Sequence, residues 1–107
     1  MAGHLERYMD LLSARQKLVA SNIANVDTPG YQTKDIDFQS EFHSAWRGAP
    51  QVQDVAGLAT KNDGNNVSLD RESRLLAENA LRFNLASSLM RSQIQQVRSA
   101  IKEGQGS

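Results

Sequence analysis

Two stretches of the chain carry apolar residues at helical spacing, one towards each end. In residues 4–26 these side chains recur at alternating steps of four and three, which is one face of a helix near 3.5 residues per turn. That face consists of Leu5, Met9, Leu12, Gln16, Val19, Ile23 and Val26, with Gln16 as its one polar member. Neither Gly nor Pro interrupts the stretch after Gly3. We therefore predict an N-terminal helix over residues 4–26.

The second stretch, residues 68–103, predicts a longer helix with a heptad pattern. Ser68 is a suitable N-cap residue, and the acidic Asp70 and Glu72 fall in the first turn, where the helix dipole favours them. One apolar position recurs every seven residues, at Leu69, Leu76, Phe83, Met90 and Val97. A small or apolar residue follows four places after each, at Ser73, Ala80, Ser87, Ile94 and Ile101. Five heptads of this kind predict a coiled-coil seam. Further leucines off that seam predict more than one neighbour.

The segment between these stretches, residues 27–67, has no helical period. A short alternation around Ile36 and Phe38 predicts an extended arm or one helical turn, and residues 47–66 are loop-like with an Asn-rich turn cluster near their end. The predicted fold is all-α, with two long helices pairing as a coiled coil and joined by an extended, partly irregular middle. Residues 1–26 and 68–107 would form the coiled-coil core. Residues 27–67 would form a Pro-Gly turn, an extended arm and a flexible loop.

Composition and charge narrow the possible functions. The 107 residues allow one small domain, and 39% apolar residues with six aromatic ones favour long helices over a well-filled compact core. Twelve basic residues balance twelve acidic ones, so there is no overall electrostatic reason to bind nucleic acid or an anionic membrane. We expect neither a nucleic-acid partner nor a membrane span. The N-terminus also lacks the pattern of a cleaved secretory signal.

No combination of residues predicts catalysis or a bound cofactor. The chain has no Cys, and its two histidines, His4 and His43, are not at metal-ligand spacing. Asp35 and Asp37 would share one face of a strand, and we interpret them as the solvent face of an arm whose apolar side is Ile36 and Phe38. We therefore predict that the protein is not an enzyme and uses neither metal nor cofactor.

Residues 21–31, Ser-Asn-Ile-Ala-Asn-Val-Asp-Thr-Pro-Gly-Tyr, end the first helix abruptly. Thr28 is pushed to extended geometry by Pro29, and Pro29-Gly30 is a typical turn pair. Asn22 and Asn25 are disfavoured in a helix interior because their side chains compete with the backbone. Two interpretations are equally open for them: a fraying helix end, or hydrogen bonds to the backbone of a neighbouring chain.

The same run resembles the signature of the bacterial flagellar rod and hook proteins, and the chain as a whole resembles the flagellar basal-body rod proteins, most of all the proximal-rod type. Three blocks carry the resemblance. The first is Arg15-Gln16 with residues 20–31, and the second is Lys34-Asp35-Ile36-Asp37-Phe38. The third is residues 64–67 with residues 69–72, which lead into the long helix; Ser68 between them stands where an acidic residue is common in the family. Together they span about 70 residues, although the chain is shorter than is usual for the family, in the middle and at the end.

The resemblance implies a structural, non-enzymatic subunit whose terminal helices line a hollow, helically assembled rod. It implies export without a cleaved signal peptide and a place in the flagellar basal body, on the periplasmic side of the inner membrane. Implied partners are copies of itself, other rod proteins, the adaptor that links rod to membrane ring, and the export-gate proteins. The implied subunit-interface residues are Ser21, Asn22, Ile23, Asn25, Thr28, Pro29, Gly30, Tyr31, Ile36, Phe38, Leu69, Leu76, Phe83, Met90, Ile94, Val97 and Ile101.

One alternative belongs to a different functional class. A soluble cytoplasmic coiled-coil adaptor or regulator would share the heptads. It would give no reason for the Thr-Pro-Gly-Tyr block, so the rod subunit is the preferred hypothesis.

Overall fold

Two long helices and a short middle segment make up the protein. The structure is a computed structural model that describes the backbone of residues 2–106 and the side chains of residues 3–104. The elements in chain order are α1 (Ala2–Ala24), β1 (Lys34–Ile36), α2 (Phe38–His43), β2 (Val52–Asp54) and α3 (Leu69–Gly106). The predicted fold, mostly helical with two long helices packed together, is confirmed. Residues 1 and 107, the limits of the predicted core, lie outside the described residues.

The ends of both long helices follow from local chemistry. α1 ends at Ala24, and consecutive turns lead the chain through residues 25–30. The hydroxyl of Ser68 accepts a hydrogen bond from the Arg71 amide at 3.2 Å, which is the predicted N-cap of α3. α3 continues to Gly106, three residues past the predicted end, so Gly104 does not stop the helix.

The middle segment contains a small sheet that the sequence did not predict. β1 and β2 pair antiparallel, with Ile36 opposite Val52. Between them Asp37 caps α2, since its carboxylate accepts a hydrogen bond from the Ser40 amide. The two structures predicted as alternatives for this region, an extended arm and a helical turn, therefore occur one after the other. β2 is exposed throughout, so it carries no alternation that would indicate a strand.

The core lies between α1 and the middle segment. Leu11 and Leu12 of α1 are buried against Ile36 and Phe38. Tyr8 adds an edge-to-face contact with Phe38, whose ring centroid lies 5.4 Å away. The middle segment thus covers one side of α1, while α3 packs beside it.

α3 meets α1 through a face different from the predicted seam. Its buried residues are Glu72, Leu75, Asn79 and Ala86. The Asn79 side chain donates a hydrogen bond to Gln16 of α1 at 3.2 Å. Six seam residues are instead 39–59% exposed: Leu69, Leu76, Phe83, Ile94, Val97 and Ile101. The contact with α1 is therefore centred to one side of the predicted seam, and the hydrogen bond from Asn79 to α1 helps to set the rotation of α3 about its axis.

The molecule is elongated, with principal dimensions of 72 × 26 × 17 Å. Gln16 lies level with Asn79, so in this antiparallel pair α1 begins about level with residue 93 of α3. Residues 94–104 of α3 therefore extend past the start of α1, and we call them the overhang. No helix in the described part of the chain is both long and apolar enough to cross a membrane.

Candidate assembly junction

The signature run at the end of α1 folds onto the Asn-rich turn that precedes α3. The Gly30 amide donates to the carbonyl of Asp63 at 2.8 Å, and the Asn66 amide donates to the carbonyl of Tyr31 at 3.3 Å. We call this region, residues 21–35 together with residues 61–72, the junction. It joins parts of the sequence that lie more than thirty residues apart, at the end of the helical pair opposite to the overhang.

Asn22 is one anchor of the junction. Its side chain is fully buried, and its amide nitrogen donates to the Lys34 carbonyl at 2.9 Å. Its oxygen accepts from the Lys34 amide and from the Tyr31 hydroxyl, each at 3.0 Å. Within this chain Asn22 is thus neither at a frayed end nor directed at another molecule, because its side-chain bonds tie Tyr31 and Lys34 to the last turn of α1.

The side chain of Asn25 bonds to nearby residues of the same turn. Its side-chain nitrogen donates to the Ser21 carbonyl at 2.8 Å, and its oxygen accepts from the Thr28 hydroxyl at 3.0 Å. The side chain therefore terminates α1 by replacing the continuing backbone ladder with turn contacts.

Asn65 and Asn66 secure the other half of the junction. The fully buried Asn65 side chain donates to the carbonyls of Asn25 and Thr28, both at 2.8 Å. The oxygen of Asn66 accepts from the Thr33 amide at 2.7 Å and from the Thr33 hydroxyl at 2.8 Å. Side-chain amides that complete backbone hydrogen bonds in this way fix the path of a segment that has no regular secondary structure.

Two glycines let the two segments approach. Gly30 has φ +75° and Gly64 has φ +85°, both in the left-handed region that favours glycine. A Cβ on Gly64 would lie 3.3 Å from the Gly30 Cα, so a side chain there would meet backbone. Pro29 precedes this contact and presets the turn, which agrees with the predicted Pro-Gly corner.

A buried charge cluster connects the junction to both long helices. Asp35 of β1 accepts two hydrogen bonds from Arg15 of α1, at 3.0 and 2.9 Å, and one from Arg71 of α3 at 2.6 Å. Arg71 also donates to the fully buried Glu72 at 2.7 Å. The interpretation of Asp35 as a solvent-facing residue is wrong, because this carboxylate lies where three elements meet.

The ionisation of Asp35 reflects this position. Burial raises its pKa, but hydrogen bonds from Arg15, the Ile36 amide and Arg71, together with the positive charge of Arg15, more than offset burial and hold the pKa of Asp35 below its usual value. The carboxylate is therefore charged at neutral pH and serves as a fixed ionic centre.

The predicted interface residues divide into three groups in the structure. Ser21, Thr28, Pro29 and Gly30 are exposed at the junction surface, and Ile23, Asn25 and Tyr31 are half-buried there. Asn22, Ile36 and Phe38 are buried within the single chain. The third group lies along α3 and is largely exposed, with Met90 half-buried: Leu69, Leu76, Phe83, Met90, Ile94, Val97 and Ile101. Their role between subunits remains a prediction.

Sequence reasoning did not select several residues that build the junction. Arg15, Asp35, Asn65, Asn66 and Arg71 all belong to the blocks that carry the resemblance, but none was included among the interface residues. Their shared signal is polar side chains of high hydrogen-bonding capacity beside turn residues and helix ends. Among the described residues there is no cluster of three or more His, Cys, Asp or Glu side chains that could hold a metal ion.

Comparison with known proteins finds a family model and several relatives that match this chain. A family model described as "Flagella basal body rod protein" matches residues 9–32, which include the whole signature run. The flagellar basal body rod protein FlgB of Salmonella typhimurium is 31% identical over 122 aligned positions, covering 90% of this chain and 88% of that protein. FlgB of Escherichia coli is 30% identical with the same coverage. FlgB of Borrelia hermsii is 29% identical over 90% of this chain and 91% of that protein.

The helical pair, the signature junction and these relatives define the class: a structural rod subunit of the bacterial flagellar basal body. Similarity over nine-tenths of the chain is more specific than the short family match, because it includes α3 and the middle segment as well as α1. The chain belongs to the FlgB family of flagellar basal body rod proteins.

Proposed function

We propose that this chain forms the proximal part of the rod and that its copies assemble helically into the hollow shaft that transmits torque between motor and hook. The observation that most supports this proposal is the contrast between the hydrogen-bonded junction and the exposed apolar stripe of α3. Apart from Oε2 of Glu72, the buried side-chain polar groups of the junction find hydrogen-bond partners within one chain, while the apolar heptads of α3 are left exposed for other subunits. A shaft needs subunits of this kind, which are rigid and bind one another along one of their helices.

The mechanism is mechanical rather than chemical. Burying an exposed Leu or Phe contributes about 1.5–3 kcal/mol, so several such contacts in each subunit, repeated along the shaft, give a stiff assembly. We propose no catalytic activity, no metal and no cofactor. The core of the shaft would be formed by residues 1–26 and 68–107, and residues 27–67 would form its turn, arm and loop.

The proposed partners are copies of this chain and other rod proteins, together with the rod-to-membrane-ring adaptor and the export-gate proteins. The proposed location is the periplasmic side of the inner membrane, reached by export without a cleaved signal peptide. In this proposal the exposed junction residues Ser21, Thr28 and Pro29 contact neighbouring subunits, and the α3 seam builds the wall of the tube.

The decisive experiment is immunoblotting of the chain in detergent-purified hook–basal bodies from its own source. We expect the chain to be present and to resist a high-salt wash, because apolar burial holds it there. A cytoplasmic protein of similar size, blotted in the same preparation, controls for contamination. If the chain is absent from basal bodies and present only in the cytoplasm, the rod assignment is refuted and the adaptor hypothesis replaces it.

A further inference from the structure

The two predicted apolar stripes do not face each other; they line one open groove. On α1 the flank next to α3 carries half-buried Leu5, Met9 and Gln16. On α3 the corresponding flank carries Leu76 and Phe83, about 40% exposed. At mid-length they enclose a cleft of about 350 Å³ lined by Leu12, Ser13, Gln16, Asn79, Ala80, Phe83 and Asn84. The groove thus combines apolar side chains along both helices with polar Ser13, Gln16, Asn79 and Asn84 at the cleft.

The groove is open because the middle segment covers the opposite side of the helical pair. Arg15 and Arg71 both turn to that opposite side, where Asp35 binds them. The heptad stripes therefore lie on the side that no other element of the described chain covers. Two helices with a shared apolar groove have the geometry that receives a third helix.

The overhang of α3 has the complementary features. Its apolar residues Ile94, Val97 and Ile101 continue the heptad stripe and are exposed. Along one edge of that stripe, four residues apart and so on one helix face, lie the cations Arg98 and Lys102. The chain's own α1 does not reach this part of α3.

The acidic counterpart lies beside the groove. Glu6 and Asp10 of α1 are exposed and also four residues apart, on the face of α1 that carries Ser13 between the groove and the middle segment, where Asp10 borders a second cleft with Ala49 and Pro50. An overhang lying antiparallel to α1 would bring Arg98 level with Asp10 and Lys102 level with Glu6. This is the direction that copies stacked along one axis require, because their α3 helices then run parallel. In the same register Arg91 falls level with Lys17, and these exposed side chains can diverge into solvent.

We propose that the overhang of one copy docks in the α1–α3 groove of the next copy along the shaft, with Arg98 and Lys102 paired to Asp10 and Glu6. This inference rests on the proposed function and specifies which surfaces of successive subunits meet. It also gives the contact a direction, since each copy offers one groove and one overhang and the contact is therefore head-to-tail.

Cysteine cross-linking tests the register directly, because the natural chain has no Cys. In the proposed register Ser13 of one copy lies level with residue 95 of the next, one residue from Ile94. Within one chain Ser13 is level with residue 82, about 18 Å along α3 from Ile94 by helical rise, so the helix pairing inside one subunit does not bring these two positions together. Cells would express two differently tagged chains, one Ser13→Cys and one Ile94→Cys, and purified basal bodies would be oxidised. The matched control replaces Ile94→Cys by Leu85→Cys, which is similarly exposed but on another face of α3.

We expect a heterodimer band from the Ser13 and Ile94 pair and none from the Ser13 and Leu85 pair. Reversing the acidic edge with Glu6→Lys and Asp10→Lys in the Ser13→Cys chain should lower the yield of heterodimer about tenfold. Adding Arg98→Glu and Lys102→Glu to the Ile94→Cys chain should restore that yield. Basal bodies that contain both tagged chains but give no Ile94 product, or give the Leu85 product instead, overturn the inference and leave the proposed function standing. Absence of the wild-type chain from basal bodies overturns both.

Discussion

Replacing Asn65 by Asp changes one buried atom of the junction and should destabilise the chain strongly. The side-chain NH₂ of Asn65 donates to two carbonyls at 2.8 Å, and in Asn65→Asp a carboxylate oxygen would face both of them. Two lost hydrogen bonds cost about 1 kcal/mol each, and a buried acceptor without a donor costs about 1–3 kcal/mol more. We expect the free energy of unfolding to fall by about 3–5 kcal/mol at pH 7, measured by urea denaturation followed by circular dichroism.

The matched control is Asn62→Asp, which makes the same chemical change at an exposed position of the same turn. It should change stability by less than about 0.5 kcal/mol. Burial and the facing carbonyls should raise the pKa of the carboxyl that Asn65→Asp introduces, and its protonated form can donate a hydrogen bond. The difference between Asn65→Asp and wild type should therefore shrink as the pH falls towards about 4. Equal effects of the two variants at pH 7 would refute the reasoning.

Three further predictions concern the ionic centre, the turn and the seam. Asp35→Asn should lower the free energy of unfolding by about 3 kcal/mol at neutral pH. Since the folded pKa of Asp35 is below 3.8, this loss should disappear as the pH falls from near 3.8 through the folded pKa, which denaturation at pH 7 and at low pH would show. Pro29→Ala with Gly30→Ala should leave export intact but block rod assembly, and normal motility would contradict the role of the turn. Phe83→Asp should abolish incorporation into basal bodies, whereas Ser88→Asp on a polar face should not; equal incorporation would remove the seam from the interface.

The two long helices were predictable because their signals are local and repeated. An apolar side chain every three or four residues over more than twenty residues leaves little alternative to a helix. The cap at Ser68 and the break at Pro29-Gly30 were predictable for the same reason, since each depends on residues within one turn. Both long helices end within three residues of the predicted positions.

The contact face of α3 was not predictable from its heptads. Periodicity shows which side chains avoid water in the final assembly, but it does not show which neighbour covers them. In the single chain α1 packs on Glu72, Leu75, Asn79 and Ala86, two of which are polar. A polar residue at a contact is indistinguishable in the sequence from one on a solvated face until its partner is known.

The junction could not be predicted from the sequence for a related reason. Asn65 bonds to Asn25 and Thr28 across about forty residues, and neither partner differs in the sequence from an ordinary turn residue. The second strand of the sheet, at residues 52–54, is short and exposed, so it has no pattern of its own. Long-range polar pairing leaves almost no trace in one sequence, even where it fixes the structure.

The position of the sheet has a consequence for variation in chain length. Residues 37–51 connect Ile36 to Val52, and these two residues lie opposite each other in the sheet. The segment is therefore a loop that begins and ends at one place on the helical pair, and we call it the excursion. The alignment with the Salmonella protein runs over 122 positions, more than the 107 residues of this chain, so that relative has residues that this chain lacks. We expect extra residues to be tolerated within the excursion, where they enlarge an outward projection. Family members of different length can then keep the same separation between their helices, and hence the same bore and pitch of the shaft.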